Sequence, residues 1–113
     1  MTQWTRVRKD GQVKSVDART VWVAKDDGSD IIRADAIVGV GRDYNGYVTA
    51  RLAGGAGSAV TLVAPASAAA STPEDFHRQL IRIATELDHT AEPSVVRPVW
   101  NEESGWQWVS ERL

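Results

Sequence analysis

The chain has no cysteine, one methionine, one phenylalanine and two histidines in 113 residues. Without cysteine there are no disulfides, thiolate nucleophiles, Cys-ligated zinc sites or iron–sulfur clusters. The same absence suits a reducing compartment, and a cytoplasmic location is expected. An excess of charge of either sign is missing too. Thirteen Lys and Arg stand against fifteen Asp and Glu, a formal net charge of -2. That balance gives no overall pull toward phosphate or an anionic lipid surface. Nucleic acid is therefore disfavoured as a general partner, although a local basic groove stays open. Long apolar runs are also absent. The longest apolar stretch, Ala59 to Ala70, is broken by Thr61, Pro65 and Ser67 and falls short of the ~20 residues a spanning helix needs. The opening MTQWTRVRKDG lacks the apolar core of a secretory signal. No membrane partner is expected.

The scarcity of histidine limits metal chemistry. His77 and His89 are twelve positions apart on or near one helix, so they diverge and cannot share an ion through that helix alone. Asp75 and His77 diverge as well, and Glu86 with His89 could chelate only weakly. No serine lies in the G-x-S-x-G turn that presents a nucleophile. The AGGAGS stretch ending at Gly57 and Ser58 has the composition of a phosphate loop. However, it precedes a strand and no lysine follows, so it reads as a turn. Asp26, Asp27 and Asp30 around Gly28 and Ser29 are too sparse for a calcium loop and read as a solvated acidic turn. No enzyme activity, cofactor or metal is expected.

What the chain does have is turn chemistry at short intervals. Asp10-Gly11, Asp26-Asp27-Gly28, Asn45-Gly46 and AGGAGS separate apolar, β-branched runs. Asn-Gly and Asp-Gly favour hairpins because both central residues of a type I′ turn need positive φ. Strands are expected in the windows 3–9, 12–16, 19–25, 30–43, 47–53 and 59–64. The long fourth window should bend at Asp35, or at Gly39 and Gly41. Tyr44 and Tyr47 should pair across the Asn45-Gly46 turn, and Trp22, inside TVWVA, should be core. A helix is expected over about 73–89, capped by Ser71 or Thr72, with Pro73 at its first position. Phe76, Leu80, Ile83, Ala84 and Leu87 form its apolar stripe. Arg82 and Glu86 form an i,i+4 pair on its solvent side.

The chain closes on RPVWNEESGWQWVSERL, which places Trp100, Trp106 and Trp108 close together. If a hairpin turns through Asn101 to Gly105, Trp100 opposes Trp106 and Pro98 opposes Trp108. All four then share one face, because strand side chains alternate. Trp100, walled in by Pro98 and the loop, is expected to be buried, and Trp106 or Trp108 to be accessible.

The fold expected is α+β within a single domain spanning 1–113. It comprises an antiparallel β-meander or small, partly open barrel of about seven strands, one amphipathic helix and a C-terminal β-hairpin. A pleckstrin-like barrel shares the meander and helix; an OB-like barrel shares the helix-then-hairpin ending. Neither likeness rests on a motif. The function expected is a non-enzymatic module that binds another protein. It could be a small adaptor, an inhibitor or immunity-type protein, or a phage accessory protein. Contact would run through Trp100, Glu102, Glu103, Trp106 and Trp108, or through a sheet edge that could also join copies of the chain. One alternative is an OB-like binder of single-stranded nucleic acid using Trp4, Arg6 and Arg8 with the aromatic hairpin. Another is saccharide binding on an exposed tryptophan platform.

Overall fold

The computed structural model describes residues 21–54, 58–89 and 92–113. In chain order they form β1 (Val21–Ala24), β2 (Ile31–Arg33), a 3-10 turn (Ala34–Ala36), β3 (Ile37–Arg42), β4 (Val48–Leu52) and β5 (Ala59–Val63). A second 3-10 turn (Ala68–Ala70), α1 (Phe76–Leu87), β6 (Ser94–Asn101) and β7 (Gly105–Arg112) follow. This is the expected α+β arrangement of strands, one helix and a closing hairpin. The strands expected at 3–9 and 12–16 lie outside the described residues.

The strands form two sheets that do not close into a barrel. One has the order β2-β1-β6-β7 and the other β3-β4-β5. The division falls where a bend was expected. The 3-10 turn holding Asp35 carries the chain from the first sheet to the second. An Arg33–Asp35 ion pair of 2.7 Å spans its start. The register then shifts between Ile37 and Gly39, the bulge expected of glycine in a long strand. One pairing departs from the meander: β1 runs parallel to β6, with Val21 opposite Ser94 and Val23 opposite Val96. Parallel neighbours need a long crossover, supplied here by everything from β2 through α1.

Alternation along the strands puts Val21 and Val23, and Val48 and Ala50, into one core with Val96, Phe76 and Leu80, and the consecutive Leu62 and Val63 join it where the β4–β5 register shifts. Trp22 sits between Val21 and Val23, so it points to the other face of its sheet. It is half-buried and outside the core cluster. The expectation that Trp22 is core is overturned by period-two alternation. Apolar neighbours on both sides obscured that alternation in the sequence.

The helix stripe reads as expected: Phe76 and Leu80 are buried, and Ile83, Ala84 and Leu87 pack against them. Its start does not. The Phe76 N–H bonds to the Pro73 carbonyl in a turn before the helix, and no side chain caps the first turn. Thr72, the expected cap, is instead buried, with 3 % exposure. Its hydroxyl donates to the Gly46 carbonyl at 2.8 Å and accepts from Arg42 Nε at 2.9 Å. Arg42 Nη2 donates to the Thr72 carbonyl at 2.6 Å. The segment entering the helix is thus clamped to the β3–β4 turn. The Arg82–Glu86 pair is not formed, and both side chains are exposed without an ion pair among the described residues.

That turn has positive φ at Gly46, +88°, but not the two-residue form. The Asp43 N–H bonds to the Tyr47 carbonyl, leaving Tyr44, Asn45 and Gly46 as the loop. Asp43 Oδ1 accepts the N–H groups of Asn45 and Tyr47, each at 3.0 Å. Tyr44 is therefore at the tip, 91 % exposed, and does not face Tyr47 across the strands. In the β1–β2 loop, the Ser29 hydroxyl donates to Asp27 Oδ1 at 2.7 Å and lowers that carboxyl's pKa from its ordinary value. Asp26 does more than face solvent. Its N–H bonds to the Leu62 carbonyl and its Oδ2 accepts the Ala64 N–H at 2.9 Å, tying this loop to the end of β5.

Two stability measurements follow from this packing. Leu80→Ala should destabilise by ~2–5 kcal/mol in denaturant unfolding, against under ~0.5 kcal/mol for Arg82→Ala; equal losses would mean the stripe does not face the core. Gly46→Val should cost more than an average surface change, because a side chain there combines strained φ with a clash on Ser71 and Thr72. Gly28→Val is the control: it has similar φ but open space around it.

Candidate functional site

The C-terminal hairpin has the register expected. Trp100 pairs with Trp106 and Pro98 with Trp108, in an unbroken run of eight residue pairs. The turn is built by Asn101, whose Oδ1 accepts the N–H groups of Glu103 at 2.7 Å and Ser104 at 3.3 Å. Gly105, at φ +73°, completes it. Asn and Gly are the residue types that such a turn selects.

Two of the three indoles are fastened to the segment that leads into the helix and to its first residue. The Trp106 Nε1–H donates to the Ala70 carbonyl, and the Trp108 Nε1–H donates to the Phe76 carbonyl at 2.8 Å. The Trp108 ring stacks on the Phe76 ring, with centroids 4.6 Å apart and planes 15° apart. Trp106 sits tilted against the same ring at 6.4 Å. Each indole thus buries its apolar body and satisfies its one donor.

Trp100 shares their face but is 44 % exposed. The expected order of burial is therefore reversed: Trp106 and Trp108 are held, and Trp100 is open. The contacts that cover this face come from Ala70 and Phe76 and engage the β7 indoles Trp106 and Trp108, while Trp100 on β6 has no such hydrogen bond or ring contact among the described residues. Pro98 is buried, yet it does not wall in Trp100 as expected. Glu102 and Glu103 are exposed in the loop beside Trp100. Trp100, Glu102 and Glu103 are thus together near the turn of the hairpin, with Trp106 held opposite Trp100 on β7 and Trp108 one step further along the same face. Trp4, Arg6 and Arg8 lie outside the described residues.

A second feature was not read from the sequence. Between α1 and β7 runs an open groove of about 450 Å3, lined by Gln79, Arg82, Ile83, Glu86, Gln107 and Trp108. Its wall is the margin of the helix stripe, where the polar face meets Ile83. The helical periodicity marked that margin, but nothing local indicated that β7 would lie across from it.

His77 Nδ1 is buried with no hydrogen-bond partner among the described residues. Among those residues no group of three or more His, Cys, Asp or Glu is placed to hold a metal ion. No described helix is long and apolar enough to cross a membrane.

Compared with protein-family models, curated proteins and solved structures, the chain matches none. Function must therefore be argued from the hairpin and the groove themselves.

The hairpin's division of labour has a spectroscopic consequence. Trp100→Phe should lower the acrylamide-accessible fraction of tryptophan fluorescence and move unfolding by under ~0.5 kcal/mol. Trp108→Phe should raise the quenchable fraction and cost about 1–3 kcal/mol, because the Phe76 carbonyl loses its indole donor. The reverse pattern would overturn this assignment of held and open indoles.

Proposed function

We propose that the chain is a non-enzymatic protein-interaction module whose contact surface is the tip of the C-terminal hairpin. The observation that carries this reading is the exposure of Trp100, 44 %, on a hairpin whose other two indoles are hydrogen-bonded to the second 3-10 turn and to the first residue of the helix. Interface energy concentrates in a few Trp, Tyr and Arg anchors. A rigidly mounted anchor loses little conformational freedom on binding. Glu102 and Glu103 flank the indole and favour a partner whose facing surface is basic. Their contribution should appear mainly in association rate and specificity.

The role proposed is that of a small cytoplasmic adaptor, an inhibitor or immunity-type protein, or a phage accessory protein. The OB-like nucleic-acid reading is less well supported. Trp106 and Trp108 already have their rings and donors engaged within the fold, and the acidic tip repels phosphate. The saccharide platform suffers the same loss, since one open indole replaces the three it required.

The test is capture from an extract of the source cell, followed by reconstitution with the purified partner. Trp100→Ala should keep the wild-type melting temperature and weaken binding at least about tenfold. Glu102→Lys with Glu103→Lys should slow association and reverse its salt dependence. Full binding by Trp100→Ala would sink the proposal. So would an interaction lost only by variants that also unfold.

A further inference from the structure

Among the edge strands of the two sheets, β7 is the longest. Natural proteins blunt a sheet edge with short strands, bulges, proline or charge. At the other side of its sheet, β2 is only three residues long. At one edge of the second sheet, β3 carries a bulge. By contrast, β7 runs for eight residues, pairs with β6 without a register shift, and has no strand on its outer side among the described residues. From Gly105 to Ser110 it contains no charge and no proline.

Beside this edge lies the groove of about 450 Å3 between β7 and α1. Its floor cannot swing away, because Trp108 is bonded to the Phe76 carbonyl and stacked on the Phe76 ring. Ile83 supplies the facing apolar wall. Arg82 and Glu86 stand on the rim with opposite charges. Neither forms an ion pair among the described residues, although one helical turn separates them. A helix set beside an open strand edge is an arrangement suited to strand addition. Main-chain hydrogen bonds provide affinity, and alternate side chains drop into the groove.

We infer that β7 and the α1 groove together bind an extended peptide segment of another protein, added as a further strand along β7. One apolar side chain of the peptide sits between Ile83 and Trp108. Side chains of opposite charge reach Arg82 and Glu86. A strand is favoured over a second copy of this chain because the groove accepts single side chains, whereas a second copy would bring a whole helix to the same face. The inference rests on the reading of this chain as a protein-interaction module, but it assigns a site separate from Trp100.

The probe is a displayed library of random linear peptides of eight residues, the length of β7, selected on the full chain. Enriched peptides should share an apolar position with acidic and basic positions around it. Their affinity should fall at least about tenfold with Ile83→Glu. Because Ile83 also touches the core, a second variant guards against misfolding: exchanging the two exposed charges by Arg82→Glu with Glu86→Arg. That exchange should weaken the selected peptides and be rescued by peptides with their two charges exchanged. N-methylation at alternate peptide residues should abolish binding at one phase of the alternation only. Trp100→Ala should have no effect on these peptides, which separates failure here from failure of the hairpin-tip site. No enrichment, binding indifferent to the groove variants, or concentration-dependent self-association blocked by the same variants would each overturn the inference.

Discussion

Phe76 is the point on which the two halves of the fold meet. It is the first residue of α1 and has no exposed surface. Its ring stacks under Trp108 and touches Trp106, and its carbonyl accepts the Trp108 indole. One residue therefore joins the helix start, the core and the C-terminal hairpin. Dispersion and area burial act through the ring, while direction comes from the carbonyl, since a hydrogen bond fixes an indole where apolar contact alone would let it slide. Without that node, β7 would be held to the rest of the fold by its pairing with β6 and by the Trp106–Ala70 bond.

The entry to the helix is held from the other side by Arg42. Its guanidinium reaches the Thr72 hydroxyl and carbonyl, the Ser71 hydroxyl and the Asp43 carbonyl. A planar five-donor group is suited to gathering acceptors from two loops at once. Thr72 completes the arrangement by donating to Gly46. The small-residue connector before α1 is thus positioned by side chains from the β3–β4 hairpin.

What was legible in the sequence was local. The Phe76–Leu87 stripe repeats within one helix, the Asn101–Gly105 turn fixes the hairpin register, and Gly46 needs positive φ within its own loop. Each of these is decided by residues a few positions apart. What was hidden depends on partners far away in the chain. Val21 to Ala24 contains nothing to say that β6 will lie parallel beside it. Trp22 looked like core because Val21 and Val23 do, and only the sheet's second face distinguishes them. The three C-terminal tryptophans are alike by composition. Ala70 and Phe76 decide which of them are covered, and neither residue's position over β7 is written near the hairpin. Thr72 illustrates the same limit: it has the chemistry of a cap, but a buried carbonyl and a guanidinium compete for its oxygen and win.

The parallel pairing of β1 with β6 also bears on how the chain is made. During synthesis β1 emerges with β2 as a short hairpin, and its second edge stays open until β6 has followed α1. The β3-β4-β5 sheet, whose strands are consecutive, can form early and by itself. The four-stranded sheet can close only at the end, after α1 has been laid down and β6 can reach back to β1. Non-local pairing of this kind slows folding and leaves unsatisfied strand edges in the waiting state. Ser94 to Val96 of β6 are therefore the residues that shield the second edge of β1, so this pairing ties together segments on opposite sides of the helix in sequence.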